Sequence, residues 1–177
     1  MSDRSGTFFR RCAAVVATLA VAGALAGCDA TPVFLLSQRS VNSTSAPISA
    51  PALKFVDAIN HFRRAHGLGP LTAYDNLDDK AVLWSAYMAQ GNCGIGAGGI
   101  PEICHSNLVA GIEMQWSLLE ENVGSSSPSA DLGALQGGFE RSPAHRANML
   151  DPRVTGVGIG VAYWNNTIYV AEEFLAG

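Results

Sequence analysis

Two histidines and one glutamate, each in a short polar motif, are the side chains of this sequence best suited to chemistry. They are His105, Glu121 and His145, and successive members lie 16 and 24 residues apart. Imidazole and carboxylate groups bind divalent cations and exchange protons near neutral pH. Because these intervals are too long for one helical face, only the tertiary fold can bring the three side chains together.

Two imidazoles and one carboxylate suit zinc and leave one coordination position for water. A weakly bound, exchangeable zinc or other divalent cation is therefore one expectation for these residues. The alternatives are a hydrogen-bonded cluster that ties loops together around water without metal, and a chemically active centre. The remaining histidines, His61 and His66, are expected to be solvated or to cap a helix.

A serine hydrolase is disfavoured by the motifs present. Such an enzyme needs a serine beside a histidine that an acid orients, and the sequence contains no G-x-S-x-G motif. Ser142 precedes Pro143 in a typical helix start. Ser106 adjoins His105, and side chains of adjacent residues rarely point at each other.

The length and composition predict one globular domain, and the charge argues against nucleic acid as a partner. The chain has 177 residues, 48% of them apolar and 15% charged, with a formal net charge of -4. These values are typical of a globular protein. The basic residues form no stripe that would bind a phosphate backbone.

The N-terminus has the features of a lipoprotein signal. Three arginines in the first eleven residues precede an apolar run from Cys12 to Ala26, which is the order found in secretory signals. The run ends in Leu25-Ala26-Gly27-Cys28, which resembles the bacterial lipobox. We expect residues 1–27 to be a signal and Cys28 to carry acyl chains that anchor the protein in the outer side of the cell membrane. The alternative is an ordinary signal peptide, and the export route, Sec or Tat, stays open.

The two cysteines that follow the tether are expected to form a disulfide. Residues 28–51 are rich in Ser, Thr, Ala and Pro, as in a disordered tether. The folded domain is then expected over residues 52–177. Cys93 and Cys104 lie within it, and an exported protein should oxidise them. Closing this loop would stabilise the fold by roughly 3 kcal/mol.

Hydrophobic periodicity predicts helices first and antiparallel strands last, an α+β pattern. A helix is predicted from about Ala52 to Gly67. A second follows, capped by Asp75, with its apolar stripe at Leu77, Ala81, Trp84 and Met88. Further predicted elements are a short helix over Asn107–Met114, a strand over Gln115–Leu119, helices that start at Ser127-Pro128 and Ser142-Pro143, and a hairpin over residues 157–174 that turns at Asn165-Asn166.

Five motifs in this order resemble the CAP superfamily, which includes cysteine-rich secretory proteins, insect venom antigen 5 and plant pathogenesis-related proteins. The resemblance covers about residues 52–176 and is greatest to the bacterial lipoprotein branch. It implies a three-layer α-β-α sandwich with a mainly antiparallel central sheet and a cleft with two histidines and two glutamates. The motifs are AINHFRRAHGLGPL at 58–71, His105-Ser106, Glu121-Asn122-Val123, SPAHRANML at 142–150 and VGIGVA at 157–162.

One of the four cleft positions implied by the resemblance is missing. The second glutamate commonly lies three residues after an aromatic residue, and here that position, counted from Phe139, is Ser142. Glu140 lies at the wrong helical angle. Glu172 or Glu173 would supply a carboxylate only if one of them faces the cleft.

The expected site therefore consists of His105, Glu121 and His145, with Ser142, Asn122 and Glu173 as neighbours. The function that follows is that of an exported, membrane-anchored binding or interaction module. The resemblance implies a ligand that is a lipid or another small hydrophobic or envelope-derived molecule. The alternatives are a metal-assisted hydrolase that acts on peptide or cell-envelope polymer and a structural adhesin. The sequence leaves the oligomeric state open.

Overall fold

The computed structural model describes residues 48–127 and 131–177. The predicted signal, the lipidation site at Cys28 and most of the tether lie outside these residues. None of the described helices has the length and apolar character needed to cross a membrane. The elements are α1 Ala50–Ala65, β1 Thr72–Ala73, α2 Asp75–Ala89, β2 Leu118–Ser126, α3 Leu132–Arg141, α4 Pro143–Met149, β3 Gly156–Trp164 and β4 Thr167–Ala176.

The four strands form one mixed sheet in the order β1-β3-β4-β2. The predicted hairpin is present as β3 and β4, which turn at Asn165 with a positive φ of 49°. β2 pairs antiparallel with β4, and only the two-residue β1 runs parallel to its neighbour. β2 is therefore an edge strand, so loops from either face of the sheet can reach its side chains.

Helices cover both faces of this sheet, which confirms the α+β fold class. On one face α2 packs directly against β3, because a Cβ at Gly160 would lie 1.9 Å from the backbone oxygen of Ala81. On the other face Val157 and Ile159 of β3 share a buried core with Phe55 of α1 and Phe139 of α3. The neighbouring residues of β3 thus contact different layers, as the alternation of a strand requires.

One predicted helix cap is wrong, and another helix has a cap that the sequence analysis did not identify. Asp75 is the first residue of α2, and Tyr74 is its N-cap. α3 begins at Leu132, where the Asp131 side chain accepts a hydrogen bond of 2.8 Å from the Ala134 amide. An aspartate cap of this kind satisfies a free amide of the first turn. The helix start predicted at Ser127-Pro128 lies in part outside the described residues, which omit 128–130.

The short helix predicted over Asn107–Met114 is also wrong. The Asn107 side chain accepts a hydrogen bond from the Val109 amide, and the Asn107 backbone carbonyl accepts one from the Ala110 amide. Gly111 then has a φ of 79°. Local side-chain bonds of this type compete with helix formation, so the segment is a turn. The strand that follows begins at Leu118 and runs on through Glu121. At the other end of the domain, α1 begins at Ala50, two residues before the predicted boundary.

Candidate ligand-binding cleft

The buried carboxylate of Glu121 on the edge strand β2 is the centre of the site. Its Oε2 lies 2.7 Å from Nδ1 of His105. The backbone amide of Ser106 donates to both carboxylate oxygens, at 3.0 and 3.1 Å. Only 1% of the Glu121 side chain is exposed, against 65% of the His105 side chain. Glu121 thus orients the imidazole, and the opposite nitrogen of His105, Nε2, is the ring atom free to meet a ligand.

The backbone before His105 is held by two contacts. The predicted disulfide between Cys93 and Cys104 is present, with 5.7 Å between the two Cα atoms. The Trp84 indole on α2 donates to the Cys104 carbonyl at 2.8 Å. Both contacts immobilise the residue next to His105, so the imidazole is supported on a fixed backbone.

Lys80 is a site residue that our sequence reasoning missed. Its ammonium lies 2.6 Å from the Ser106 hydroxyl, 2.5 Å from Glu173 and 3.9 Å from Glu121. The position of Lys80 in the sequence could have identified it. Lys80 lies three residues after Leu77 and four before Trp84, on the apolar stripe of α2. A lysine in a buried stripe needs a carboxylate partner, and two are provided.

The adjacent glutamates of β4 face opposite sides of the sheet. Glu173 is paired in register with Glu121 and meets Lys80 on the α2 face. Burial raises the pKa of Glu173 to about 7, although the hydrogen bond and charge of Lys80 lower it in part. Glu172 lies on the other face, where burial raises its pKa to about 8. Of the two, therefore, Glu173 is the one that joins the Glu121 cluster.

Asn122 connects the edge strand to α4 and Glu172. Its side-chain amide donates to Glu172 at 2.8 Å and to the His145 carbonyl at 3.2 Å. Its oxygen accepts a hydrogen bond of 3.0 Å from Asn148, which also donates to the Glu121 carbonyl. Asn122 is fully buried, so it fixes the helix that carries the second histidine.

His145 lies in the first turn of α4, for which Ser142 is the N-cap. Its ring meets Phe139 edge-on at a centroid distance of 5.0 Å. Burial, and secondarily the charge of His105, lower the pKa of His145. The neutral imidazole is therefore favoured, and the two histidines are close enough to interact electrostatically. The Ser142 side chain makes no hydrogen bond to the first amides of α4.

A cavity of about 380 Å³ opens beside this cluster. It combines the polar edge of Glu121 and His105 with two leucines. His145 and Glu173 do not line it. The lining residues are His105, Ser106, Leu108, Leu119, Glu120, Glu121 and Asn148.

The geometry does not favour a preformed metal site. Within residues 48–127 and 131–177, no group of three His, Cys, Asp or Glu side chains is arranged to hold a metal ion. Both oxygens of Glu121 accept hydrogen bonds, and the Lys80 ammonium lies between its carboxylate and that of Glu173. The donor set therefore does not fit a bound zinc ion, and we derive no chemistry from one.

A three-layer α-β-α domain with a histidine–glutamate pair at the edge strand defines the class of CAP-domain proteins. The sequence model of the cysteine-rich secretory protein family, CAP, matches residues 56–175. The chain belongs to this family. No curated protein matches the chain at a significant level.

Solved structures share the fold at low sequence identity. An extracellular protein with an SCP domain from Bacillus anthracis has a TM-score of 0.54 and 23% identity, over 75% of this chain and 45% of its own. A cysteine-rich secretory protein from Staphylococcus aureus has a TM-score of 0.55 and 20% identity, over 72% of this chain and 39% of its own. The matches thus span less than half the length of these two proteins. An outer surface protein from Borrelia burgdorferi has a TM-score of 0.57 and 15% identity, over 71% of this chain and 92% of its own.

Proposed function

We propose that this protein is an exported, lipid-anchored binding module whose CAP domain takes a small hydrophobic or envelope-derived ligand. The observation that carries the proposal is the cavity of about 380 Å³ at the edge of β2. Leu108 and Leu119 supply apolar contact there, while His105 and Ser106 supply polar groups. Pockets that combine an apolar lining with a few oriented polar groups are typical of small-molecule sites.

The hydrogen-bond pattern favours binding over acyl transfer. A lysine ammonium bonded to a carboxylate has no lone pair with which to take a proton from Ser106. The nearest imidazole, that of His105, is bonded through Nδ1 to Glu121 and makes no hydrogen bond to the Ser106 hydroxyl among the described contacts. Ser106 therefore lacks the activating base that a serine nucleophile needs.

The proposed location rests on the signal predicted at residues 1–27 and on the resemblance of residues 25–28 to the lipobox. Acyl chains on Cys28 would hold the CAP domain at the membrane through the tether that ends near α1. The similar structures from B. anthracis and B. burgdorferi are described as an extracellular protein and an outer surface protein. Both descriptions agree with an exported chain.

Replacing Cys28 tests the anchor. We expect Cys28→Ala to move the protein from the membrane fraction to the soluble fraction and to abolish incorporation of labelled fatty acid. Ser37→Ala in the same tether is the matched control and should stay membrane-bound. A Cys28→Ala protein that is still membrane-bound and processed to the same size contradicts the anchor.

A charge in the cavity tests ligand binding. We expect Leu108→Asp to reduce by at least fivefold the amount of hydrophobic molecule that co-purifies with the full chain, measured by mass spectrometry of an organic extract. The reason is that a carboxylate at Leu108 would have to be desolvated against the ligand. Val109→Asp is the control, because Val109 is 53% exposed and does not line the cavity. Equal extracts from the two variants would contradict the proposal.

A hydrolase is the second candidate, and the His105–Glu121 hydrogen bond is the observation that favours it. A carboxylate that orients an imidazole through Nδ1 leaves Nε2 available as a general base for water. Turnover of a peptide or cell-envelope polymer that disappears in Glu121→Ala would favour this function. Co-purified lipid together with no turnover favours the binding module.

A further inference from the structure

The cleft contains a cation that belongs to the chain itself. The side chain of Lys80 is 7% exposed and comes from α2, the helix that lies directly on Gly158 and Gly160. This close approach brings its ammonium to 2.5 Å from the carboxylate of Glu173 and 3.9 Å from that of Glu121. The ammonium thus lies between two carboxylates that are 2% and 1% exposed.

Two buried carboxylates on neighbouring strands need such a positive charge. Glu121 and Glu173 are direct partners across β2 and β4, and side chains opposite each other in a sheet lie about 5 Å apart at Cβ. Like charges at that distance repel strongly in a buried environment. Burial is the main cause of the raised pKa of Glu173, and the charge of Glu121 raises that pKa further. A single cation between them removes most of this repulsion.

The same ammonium also sets the direction of the Ser106 hydroxyl. Ser106 accepts a hydrogen bond from Lys80, and no described contact has its hydroxyl donating. Its proton is therefore directed away from Lys80, and Ser106 is one of the residues that line the cavity. The Ser106 amide is bonded to Glu121 at the same time. Lys80 and Glu121 together fix the residue next to His105.

We propose that Lys80 is the built-in cation of this cleft, occupying the position between Glu121 and Glu173 so that the site works without a metal ion. The cleft then presents to its ligand a hydroxyl donor from Ser106 and the exposed imidazole of His105. This inference rests on the cleft being the functional site proposed above. It also makes the position of Lys80 a latent metal site, which a smaller neutral side chain would open.

Zinc titration of the full-length protein in detergent tests this inference. We expect wild type and Glu121→Gln to give identical calorimetric heats on titration with zinc. Identical heats would mean that Glu121 does not bind zinc in the wild-type protein. Lys80→Ala leaves two carboxylates and an empty volume, and it should bind one zinc ion per chain at least tenfold more tightly than wild type. The gain should be lost in Lys80→Ala combined with Glu173→Gln.

Lys80→Met is the matched control, because methionine fills much of the volume without the charge. It should bind zinc no more tightly than wild type. Two outcomes would overturn the inference. The first is one zinc ion per wild-type chain with an affinity that Glu121→Gln weakens tenfold or more, and the second is a Lys80→Ala protein that binds zinc no more tightly than Lys80→Met.

A folding defect in Lys80→Ala is also informative. Removing one member of a buried ion pair leaves an uncompensated charge, so this variant can unfold without metal. Refolding is then compared with and without zinc by far-UV circular dichroism. Recovery of the Lys80→Ala fold only in the presence of zinc supports the inference. If Lys80→Ala does not recover with zinc while the double variant Lys80→Met with Glu173→Gln folds normally, the inference is overturned.

The zinc response and the ligand test give separate answers. Zinc binding in Lys80→Ala depends on the two carboxylates and needs no ligand. If Lys80→Ala gains zinc binding but no hydrophobic molecule co-purifies with the wild-type chain, only the proposed function is disproved. If a hydrophobic molecule co-purifies with the wild-type chain and that chain also binds zinc through Glu121, only the role of Lys80 is disproved.

Discussion

Glu172→Gln is expected to stabilise the protein more at pH 8 than at pH 4.5. The difference in free energy of unfolding between the variant and wild type should be about 4 kcal/mol larger at pH 8. Glu172 is fully buried, and burial raises its pKa to about 8 from an ordinary value of 4.5. Only one of its carboxylate oxygens has a hydrogen-bond partner, the side chain of Asn122. The charge of Glu140 raises the pKa further.

The sign of the effect follows from proton linkage. Between pH 4.5 and 8 the folded protein holds the Glu172 proton, whereas the unfolded chain has released it. Stability from this group is therefore fully present below pH 4.5 and is lost as the pH rises toward 8. Glutamine is neutral throughout, so it avoids this loss while keeping a similar shape.

Urea unfolding of wild type and Glu172→Gln at pH 5, 6, 7 and 8 measures the effect. The wild-type free energy should fall steadily with pH, and the variant should fall less steeply. Glu173 contributes a decline in both proteins, because burial raises its pKa to about 7. Glu113→Gln, at an exposed loop position, is the control and should follow wild type. Parallel curves for wild type and Glu172→Gln would show that Glu172 is ionised in the folded protein.

Arg63→Met is expected to lower the free energy of unfolding by about 3 to 5 kcal/mol, because several carbonyls lose a charged donor. Arg63 is 3% exposed although it lies on α1. Its Nε donates to the Gly69 carbonyl at 2.8 Å. Its Nη1 donates to the carbonyls of Met149 and Asp151 at 2.8 and 3.0 Å. One guanidinium thus joins α1 to the end of α4.

Thermal and urea unfolding of Arg63→Met and Arg64→Met test this role. Arg64 is the matched control, because it is the next residue of the same helix and is exposed. Its replacement should change stability by less than about 0.5 kcal/mol. Since Arg63 holds the end of α4, the NMR signals of the His145 ring should shift in Arg63→Met alone. Equal stability of the two variants would contradict the role of Arg63.

The local elements of this fold were accessible from the sequence because their signals are local. The 3.6-residue spacing in α1 and α2, the Ser142-Pro143 start of α4 and the alternation in β3 all predict elements that the structure contains. The disulfide between Cys93 and Cys104 was also predicted. The error at Asn107–Met114 arose where the Asn107 side chain bonded to the backbone amide of Val109, a competition that periodicity does not report.

The sequence by itself determined which side chains are available to a polar cleft, with His105 and Glu121 in polar motifs and no second glutamate at Ser142. Only the tertiary structure decided which of the β4 glutamates joins them. Adjacent residues of a strand point to opposite faces, and the register with β2 places Glu173, not Glu172, beside Glu121. The structure also decided which groups surround Lys80. The two carboxylates beside Lys80, those of Glu121 and Glu173, lie 41 and 93 residues away along the chain. Only the pairing of β2 with β4 brings them together next to α2.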